Sequence, residues 1–217
     1  MIIFDCNGVL VDSERIAAAV AAEEFTRAGI ALTSEQVTRF FFGRRPADMI
    51  AMVETAGRRK LPASFPGRLA GATLSRLRTE VRAMRHAAYA LTWLRGAKCL
   101  ASSSPPDRVR VSLETTGLAR FFTRVFSASD VPKGKPAPDL FLHAAAQMQV
   151  EPAGCIVVED SPAGVTAATA AGMTAIGFIG GSHAEGELGH ALIRAGARTV
   201  IADLRQIKAI VSALRGW

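Results

Sequence analysis

Short apolar runs that end on polar residues alternate with helical patterns along this chain. Runs of three or four apolar residues bounded by polar residues and glycines are typical of buried strands. The clearest runs are 2–4, 99–101 and 155–158, and the polar residues that end them are Asp5, Ser102, Glu159 and Asp160. Because ligands gather at the carboxyl ends of parallel strands, these polar ends predict one shared site.

The segment from Ser13 to about Leu94 has a mainly helical pattern. We expect one helix over 16–27, a second after an N-cap at Thr33, and a third from Pro46 to Val53. The stretch 57–71 contains two prolines, and we expect it to be the most loop-like part of this segment.

Beyond Gly96 strand and helix patterns alternate with short connections. The further strands are predicted at 125–126, 173–178 and 199–201, and the helices at 139–149, 162–171 and 204–214. This order predicts an α/β fold with a parallel sheet that helices cover on both faces.

Composition excludes several classes of protein. The 217 residues are 49 % hydrophobic, yet no apolar window is long enough for a membrane span, and the first residues do not have the pattern of a secretory signal. The three cysteines, Cys6, Cys99 and Cys155, are too few and too scattered for a disulfide framework or a zinc site. We therefore expect a reduced, cytoplasmic setting without a membrane partner.

The positive charge is concentrated in one part of the chain. The formal net charge is +7, and the segment 13–90 has 13 Lys/Arg and 7 Asp/Glu, a balance of +6. Such a basic segment has three possible explanations. It could bind nucleic acid, it could attract a small anion, or it could reflect an arginine-rich proteome and have no functional meaning. No nucleic-acid-binding motif is present, so no nucleic-acid partner is expected.

The polar groups at the strand ends form a set suited to phosphoryl transfer. Asp5 is a candidate nucleophile, and the adjacent carboxylates Glu159 and Asp160 are oxygen ligands of the kind that Mg²⁺ prefers. Ser102, followed by Ser103 and Ser104 before a helix, supplies hydroxyl and amide donors, and Lys135 supplies a cation. Each signal alone has an ordinary structural explanation, such as a turn cap or a solvated lysine.

Four motifs together resemble the haloacid dehalogenase superfamily of aspartyl phosphotransferases, in the branch with a helical cap. The motifs are Phe4-Asp5-Cys6-Asn7-Gly8-Val9-Leu10-Val11-Asp12-Ser13-Glu14, Leu100-Ala101-Ser102, Gly134-Lys135-Pro136-Ala137-Pro138-Asp139, and Val158-Glu159-Asp160-Ser161 with Gly164. The resemblance implies a Rossmann-like doubly wound core at 1–12 and 91–217 and an inserted all-helical cap at 13–90. The hinges would lie near Asp12 and Tyr89.

The resemblance also implies roles for individual residues. Asp5 would attack phosphorus, and Ser102 and Lys135 would hold the transferring group. Mg²⁺ would be bound by Asp5, by the main-chain carbonyl of Asn7 and by Asp160, with Glu159 nearby or bridged by water. The cap loop residues Gly43, Arg44 and Arg45, together with Ser103 and Ser104, are the expected substrate-binding residues.

Position 7 departs from the family pattern. Phosphatases and mutases of the family have an aspartate two residues after the nucleophile as general acid and base, whereas this chain has Asn7. An amide neither donates that proton nor accepts it, so we expect binding of Mg²⁺ and phosphate esters with slow turnover. A deliberate exchange is our favoured explanation, ahead of a natural variant or pseudoenzyme and of a sequence error.

The expected activity is hydrolysis of a small phosphorylated metabolite, with a sugar or sugar-acid phosphate favoured. The alternatives are a sugar-phosphate mutase and a weakly active phosphate-binding pseudoenzyme. Such mutases have a histidine on the first cap helix, which is absent near Arg15, and a 2-haloacid dehalogenase would lack the acidic pair. His183 is interpreted as an ordinary loop residue, and the protein as a monomer or weak homodimer.

Overall fold

A computed structural model describes residues 1–184 and 186–214 of the chain. The strands are β1 (Ile2–Phe4), β2 (Val11–Asp12), β3 (Arg82–Ala83), β4 (Lys98–Ser102), β5 (Val125–Ser127), β6 (Ile156–Glu159), β7 (Thr174–Phe178) and β8 (Thr199–Ile201). Six of them form a parallel sheet in the order β5-β4-β1-β6-β7-β8. The first strand of the chain therefore lies inside the sheet, between two later strands.

Four helices follow one another between β2 and β3, and from β3 onward helices and strands alternate. The helices are α1 (Glu14–Arg27), α2 (Ser34–Phe41), α3 (Pro46–Ala56), α4 (Phe65–Glu80), α5 (Ala87–Trp93), α6 (Pro106–Thr115), α7 (Asp139–Gln147), α8 (Pro162–Ala170), α9 (Leu188–Arg194) and α10 (Ile207–Leu214). Short 3₁₀ turns connect several of these elements.

The central strands are buried on both faces. Ile2 and Phe4 of β1 point into one hydrophobic cluster and Ile3 points into another, as the two-residue period of a strand requires. Side chains of α5, α6 and α10 complete the first cluster, and side chains of α7, α8 and α9 complete the second. The predicted Rossmann-like, doubly wound α/β core is confirmed.

The helical insertion has a hydrophobic cluster of its own. Phe25 of α1 and Phe65 of α4 are fully buried in it, with their ring centroids 4.9 Å apart. The predicted cap at Thr33 is confirmed, because its hydroxyl accepts the Gln36 N–H while the Gln36 side chain accepts the Thr33 N–H. The domain limits 1–12, 13–90 and 91–217 stay a prediction.

The expectation of a loop over 57–71 was wrong beyond Ser64. Helix α4 begins at Phe65, with Pro66 in its first turn, where the missing N–H costs no helical hydrogen bond. Burial of Phe65 and Leu69 one turn apart outweighs the weak helix propensity of Gly67 and Gly71.

Three further elements escaped sequence reasoning. Strands β2 and β3 pair antiparallel where the chain leaves the core and returns to it, and two residues each are too few for a periodic signal. Helix α9 was not expected either. In the described ranges, no helix combines the length and apolar character needed to cross a membrane.

Phe65→Ala tests the cluster of the helical insertion. The substitution removes a fully buried ring that stacks on Phe25, so the free energy of unfolding should fall by about 3–5 kcal/mol. Chemical denaturation followed by circular dichroism measures the change. Phe40→Ala is the matched control, because Phe40 is 52 % exposed and its loss should cost about 0.5 kcal/mol or less. Equal losses for the two variants would contradict this packing.

Candidate active site

The polar residues predicted to share a site meet at the carboxyl ends of three adjacent strands. Asp5 follows β1, Ser102 ends β4 and Glu159 ends β6, and β1 lies between the other two. The Asp5 N–H donates to the Val158 carbonyl at 3.0 Å, which fixes the backbone of Asp5 to the neighbouring strand. All three side chains are buried.

Lys135 binds the two carboxylates that face each other across this edge. Its Nζ lies 2.5 Å from Asp5 Oδ1 and 2.5 Å from Glu159 Oε1, and 3.2 Å from the Ala101 carbonyl oxygen. Burial alone would lower the pKa of Lys135, but the two carboxylates raise it above its usual value. Burial raises the pKa of Asp5 well above its usual value, Glu159 and Asp160 raise it further, and Lys135 opposes them.

Glu159 is held by hydrogen bonds on both oxygens. Oε1 accepts from Lys135, while Oε2 accepts from the Ser161 N–H at 3.0 Å and from the Ser161 hydroxyl at 2.9 Å. Ser161 also caps α8, because its Oγ accepts from the Gly164 N–H at 3.0 Å. A Cβ at Gly164 would come within 1.9 Å of Glu159 Cδ, so only glycine admits this arrangement.

Asp160 lies against the turn that follows Asp5. Gly8 in that turn has φ +85°, and a Cβ there would come within 1.6 Å of Asp160 Oδ2. The pKa of Asp160 is raised to about 7, mainly by burial and also by Glu159, while His183 opposes the increase. Position 8 therefore needs glycine both for its backbone conformation and for space.

The interpretation of His183 as an ordinary loop residue was wrong. Its Nε2 lies 2.9 Å from Asp160 Oδ2 without the alignment of a hydrogen bond, and its ring stacks on Phe42 with centroids 4.7 Å apart. Burial lowers the pKa of His183, but Asp160 raises it more, and the net pKa is above its usual value. This contact joins loops distant in sequence, so local pattern gave no signal for it.

Asn7 is held by three serine hydroxyls. Its Nδ2 donates to Ser13 Oγ at 2.6 Å, and its Oδ1 accepts from Ser104 Oγ at 2.9 Å and from Ser102 Oγ at 3.2 Å. Ser13 is completely buried. Both the nitrogen and the oxygen of the amide thus have hydrogen-bond partners, and the side chain has a fixed orientation.

A cavity of about 100 Å³ opens above Asp5, and we call it the phosphate chamber. Ser102, Ser103, Ser104, Lys135 and the acidic pair line it from the core, and Gly43 and Arg44 line it from the cap loop. A Cβ at Gly43 would come within 2.9 Å of Ser161 Cβ, so the cap loop lies directly on the core.

Arg45 is placed differently from its neighbours. It does not line the phosphate chamber, and its guanidinium binds Asp48 through Nε at 2.8 Å and Nη2 at 3.0 Å. Its aliphatic stem packs on Gly134, where a Cβ would lie 2.9 Å from Arg45 Cδ. Arg45 thus connects the cap loop with the loop that carries Lys135.

Two charged residues that line the chamber were missed by sequence reasoning. Glu14, the first residue of α1, and Arg108, in the first turn of α6, both line the chamber, with Arg108 Nη2 3.4 Å from Glu14 Oε1. Glu14 is the last residue of the first of the four motifs, which was the available signal. Arg108 lies four residues after Ser104, outside any quoted motif.

The carboxylates suit a hard divalent cation. Asp160 Oδ2 is buried and accepts no hydrogen bond, and burial raises the pKa of Asp5 and of Asp160 despite the nearby Lys135 and His183, so a further cation would stabilise both carboxylates. Across 1–184 and 186–214 no group of three acidic, histidine or cysteine side chains is arranged to hold a metal ion. At this site Lys135 lies between Asp5 and Glu159. A cation here would rely on few side chains plus carbonyl, water and phosphate oxygens, which is the usual manner of Mg²⁺.

Several known proteins with similar sequences are phosphatases. The chain is 31 % identical over 184 residues to the 6-phosphogluconate phosphatase of Escherichia coli K12, covering 84 % of this chain and 83 % of that protein. It is 35 % identical over 199 residues to a probable pseudouridine-5'-phosphatase of Drosophila melanogaster, covering 80 % and 79 %.

Solved structures share the whole architecture. A conserved haloacid dehalogenase-like protein of Agrobacterium tumefaciens C58 matches with TM-score 0.84 and 38 % identity over 99 % of this chain and 98 % of that one. A family hydrolase of Deinococcus radiodurans R1, solved with bound phosphate and sodium, matches with TM-score 0.75 and 30 % identity over 98 % and 94 %. The sequence model of the haloacid dehalogenase-like hydrolases matches residues 1–172. The chain therefore belongs to the haloacid dehalogenase-like hydrolases, and it is an enzyme of the phosphoric monoester hydrolase kind.

Proposed function

We propose that the protein hydrolyses small phosphomonoesters with Mg²⁺, through an aspartyl-phosphate formed on Asp5. The observation that carries the proposal is the buried Asp5 carboxylate at the chamber floor, with the Lys135 ammonium 2.5 Å from its Oδ1. A carboxylate beside a fixed cation combines a nucleophile with a group that offsets the charge of the incoming phosphate.

Each core residue has a distinct part in the proposed reaction. One Asp5 oxygen attacks phosphorus and the ester oxygen departs, after which water attacks phosphorus and releases Asp5. Lys135 and the Ser102 hydroxyl bind phosphoryl oxygens, with donors from Ser103 and Ser104 beside them. The gap in this scheme is the proton for the leaving oxygen, which the Asn7 amide does not supply.

The metal ligands in this proposal are Asp5, the main-chain carbonyl of Asn7 and Asp160. Bound Mg²⁺ would neutralise charge on the phosphate and on the buried carboxylates. Both oxygens of Glu159 are already hydrogen-bonded, so we assign it to positioning Lys135 and to a metal contact through water. The cap residues Gly43 and Arg44 are proposed to close the chamber over the phosphate.

Water is favoured over a second sugar as the acceptor of the phosphoryl group. The first cap helix lines the chamber with Glu14, Ala17, Ala18 and Ala21, and these offer no histidine to activate a sugar hydroxyl. The names of the similar phosphatases refer to different alcohols, so likeness alone does not fix the leaving group. The cytoplasmic setting, the lack of a nucleic-acid partner and the monomer or weak homodimer stay predictions.

Asn7→Asp should raise kcat by about a hundred- to ten-thousandfold, because it restores a general acid and base. The gain should be larger for ethyl phosphate than for 4-nitrophenyl phosphate, since nitrophenolate departs without a proton. Steady-state assays with Mg²⁺ measure both. Adding Asp5→Asn to the Asn7→Asp protein is the control and should abolish turnover. No gain from Asn7→Asp would refute the proposed acid–base role.

Affinity for Mg²⁺ should fall as the pH falls through 7. Burial raises the pKa of Asp160 to about 7 in the metal-free protein, so below this pH a proton must leave before the carboxylate binds the ion. Titration calorimetry should show about tenfold weaker binding at pH 6 than at pH 8, with proton release at pH 6. Equal affinities at the two pH values would contradict the assignment of Asp160 as a ligand.

A further inference from the structure

A second cavity adjoins the phosphate chamber between the cap and the core. It measures about 650 Å³ and we call it the outer cleft. It shares five lining residues with the chamber, which are Pro46, Leu69, Thr73, Ser103 and Arg108. The two cavities are therefore neighbouring compartments that meet beside the serine loop after β4.

The chamber is too small to hold a whole substrate. Its volume is about 100 Å³, whereas sites for small organic ligands usually measure about 300–1,000 Å³. The cap loop already lies on the core, with Phe42 stacked on His183 and Gly43 against Ser161. With the loop in this position, the alcohol part of a phosphomonoester needs space outside the chamber, and the outer cleft supplies it.

The walls of the outer cleft are mainly apolar. Helices α3 and α4 and the loops after β4 and β5 contribute these side chains, which are Pro46, Ala47, Ile50, Ala51, Pro66, Leu69, Ala70, Leu74, Pro105 and Ala128. Contact between such walls and the carbon groups of a ligand stabilises the complex, whereas contact with hydroxyl groups does not.

The polar groups of the cleft are largely occupied by partners within the protein. Arg45 binds Asp48 with two hydrogen bonds, and Glu54 binds Lys60 at 2.6 Å. The Thr73 hydroxyl donates to a carbonyl of its own helix at 2.7 Å. A polyhydroxylated alcohol would lose its water here without gaining matching partners, which costs free energy.

Arg108 is the charged residue of the cleft that has a buried donor without a partner, and it lies where the two compartments meet. Its Nε is buried without a hydrogen-bond partner, and Nη2 reaches Glu14 only at 3.4 Å. A buried donor without a partner is costly, so Nε is suited to an oxygen atom of a ligand. That oxygen would belong to the ester or to the alcohol beside it.

We propose that the outer cleft binds the alcohol part of the substrate, and that this alcohol is a carbon-rich chain or ring with an oxygen for Arg108 near the ester. The inference rests on the proposed phosphatase function and replaces the expected sugar with a less hydroxylated alcohol. Its ligand class is therefore the phosphomonoester of a largely apolar alcohol.

Binding to the unaltered chain tests the inference without turnover. Titration calorimetry with Mg²⁺ should show affinity rising about two- to fourfold per added methylene from ethyl to butyl to hexyl phosphate. Hexyl phosphate should also bind more tightly than sorbitol 6-phosphate, which has six carbons and five free hydroxyls. Affinity independent of chain length, or tighter binding of sorbitol 6-phosphate, would overturn the proposal.

A pair of variants locates the effect. Ala70 is exposed on α4 and lines the cleft, whereas Ser75 is exposed on the same helix and does not. Ala70→Gln should abolish most of the increase in affinity per added methylene and leave the affinity for inorganic phosphate unchanged. Ser75→Gln should change neither quantity. If the affinity of Ala70→Gln rises with chain length as steeply as that of the unaltered chain, the assignment of the cleft as the alcohol-binding site is wrong.

Hydrolysis separates this inference from the proposed function. If the Asn7→Asp protein hydrolyses ethyl phosphate but affinity does not depend on chain length, the phosphatase function stands and the assignment of the cleft fails. If affinity rises with chain length but no ester is hydrolysed, the cleft is confirmed as a binding site and the proposed reaction fails.

Discussion

One buried ammonium between two carboxylates determines the architecture of the site. Lys135 Nζ lies within 2.5 Å of both Asp5 and Glu159, and all three side chains are shielded from water. Without the ammonium the two carboxylates would repel each other, and without the carboxylates a buried ammonium would be strongly unfavourable. The parallel pairing of β1 with β6 brings the two acids to one edge, and the loop after β5 brings the lysine to them.

The rest of the site adapts to this charged centre by close packing. Gly8 and Gly164 let Asp160 and Glu159 approach the backbone more closely than any Cβ would permit. The cap loop covers the centre through Phe42 and Gly43, and the small chamber beneath it meets the larger apolar cleft beside the serine loop. In the proposed binding mode the alcohol lies against the apolar walls of α3 and α4.

The sequence predicted the parts of the fold that follow from local pattern. Strands ending on Asp5, Ser102 and Glu159 were recognisable because burial, polarity and turn signals coincide there. Helix α4 was misjudged at Pro66, since its stability depends on burial of Phe65 against Phe25 from another helix. His183 and Arg108 acquire their positions through contacts between distant segments, and the hydrogen bonds of Asn7 with three serines depend on the same convergence.

The central claim is that Asp5 becomes phosphorylated, and reductive trapping tests it most directly. Borohydride reduces an acyl phosphate to the alcohol, so an aspartyl-phosphate is recovered as homoserine. With 4-nitrophenyl phosphate, whose leaving group needs no proton, the unaltered chain should accumulate this intermediate, because Asn7 does not activate the water that removes it. Peptide mass analysis after treatment with Mg²⁺, 4-nitrophenyl phosphate and borohydride should show homoserine in place of Asp5, and only with substrate present. Ester cleavage without any reducible residue, or with homoserine elsewhere, would contradict the account.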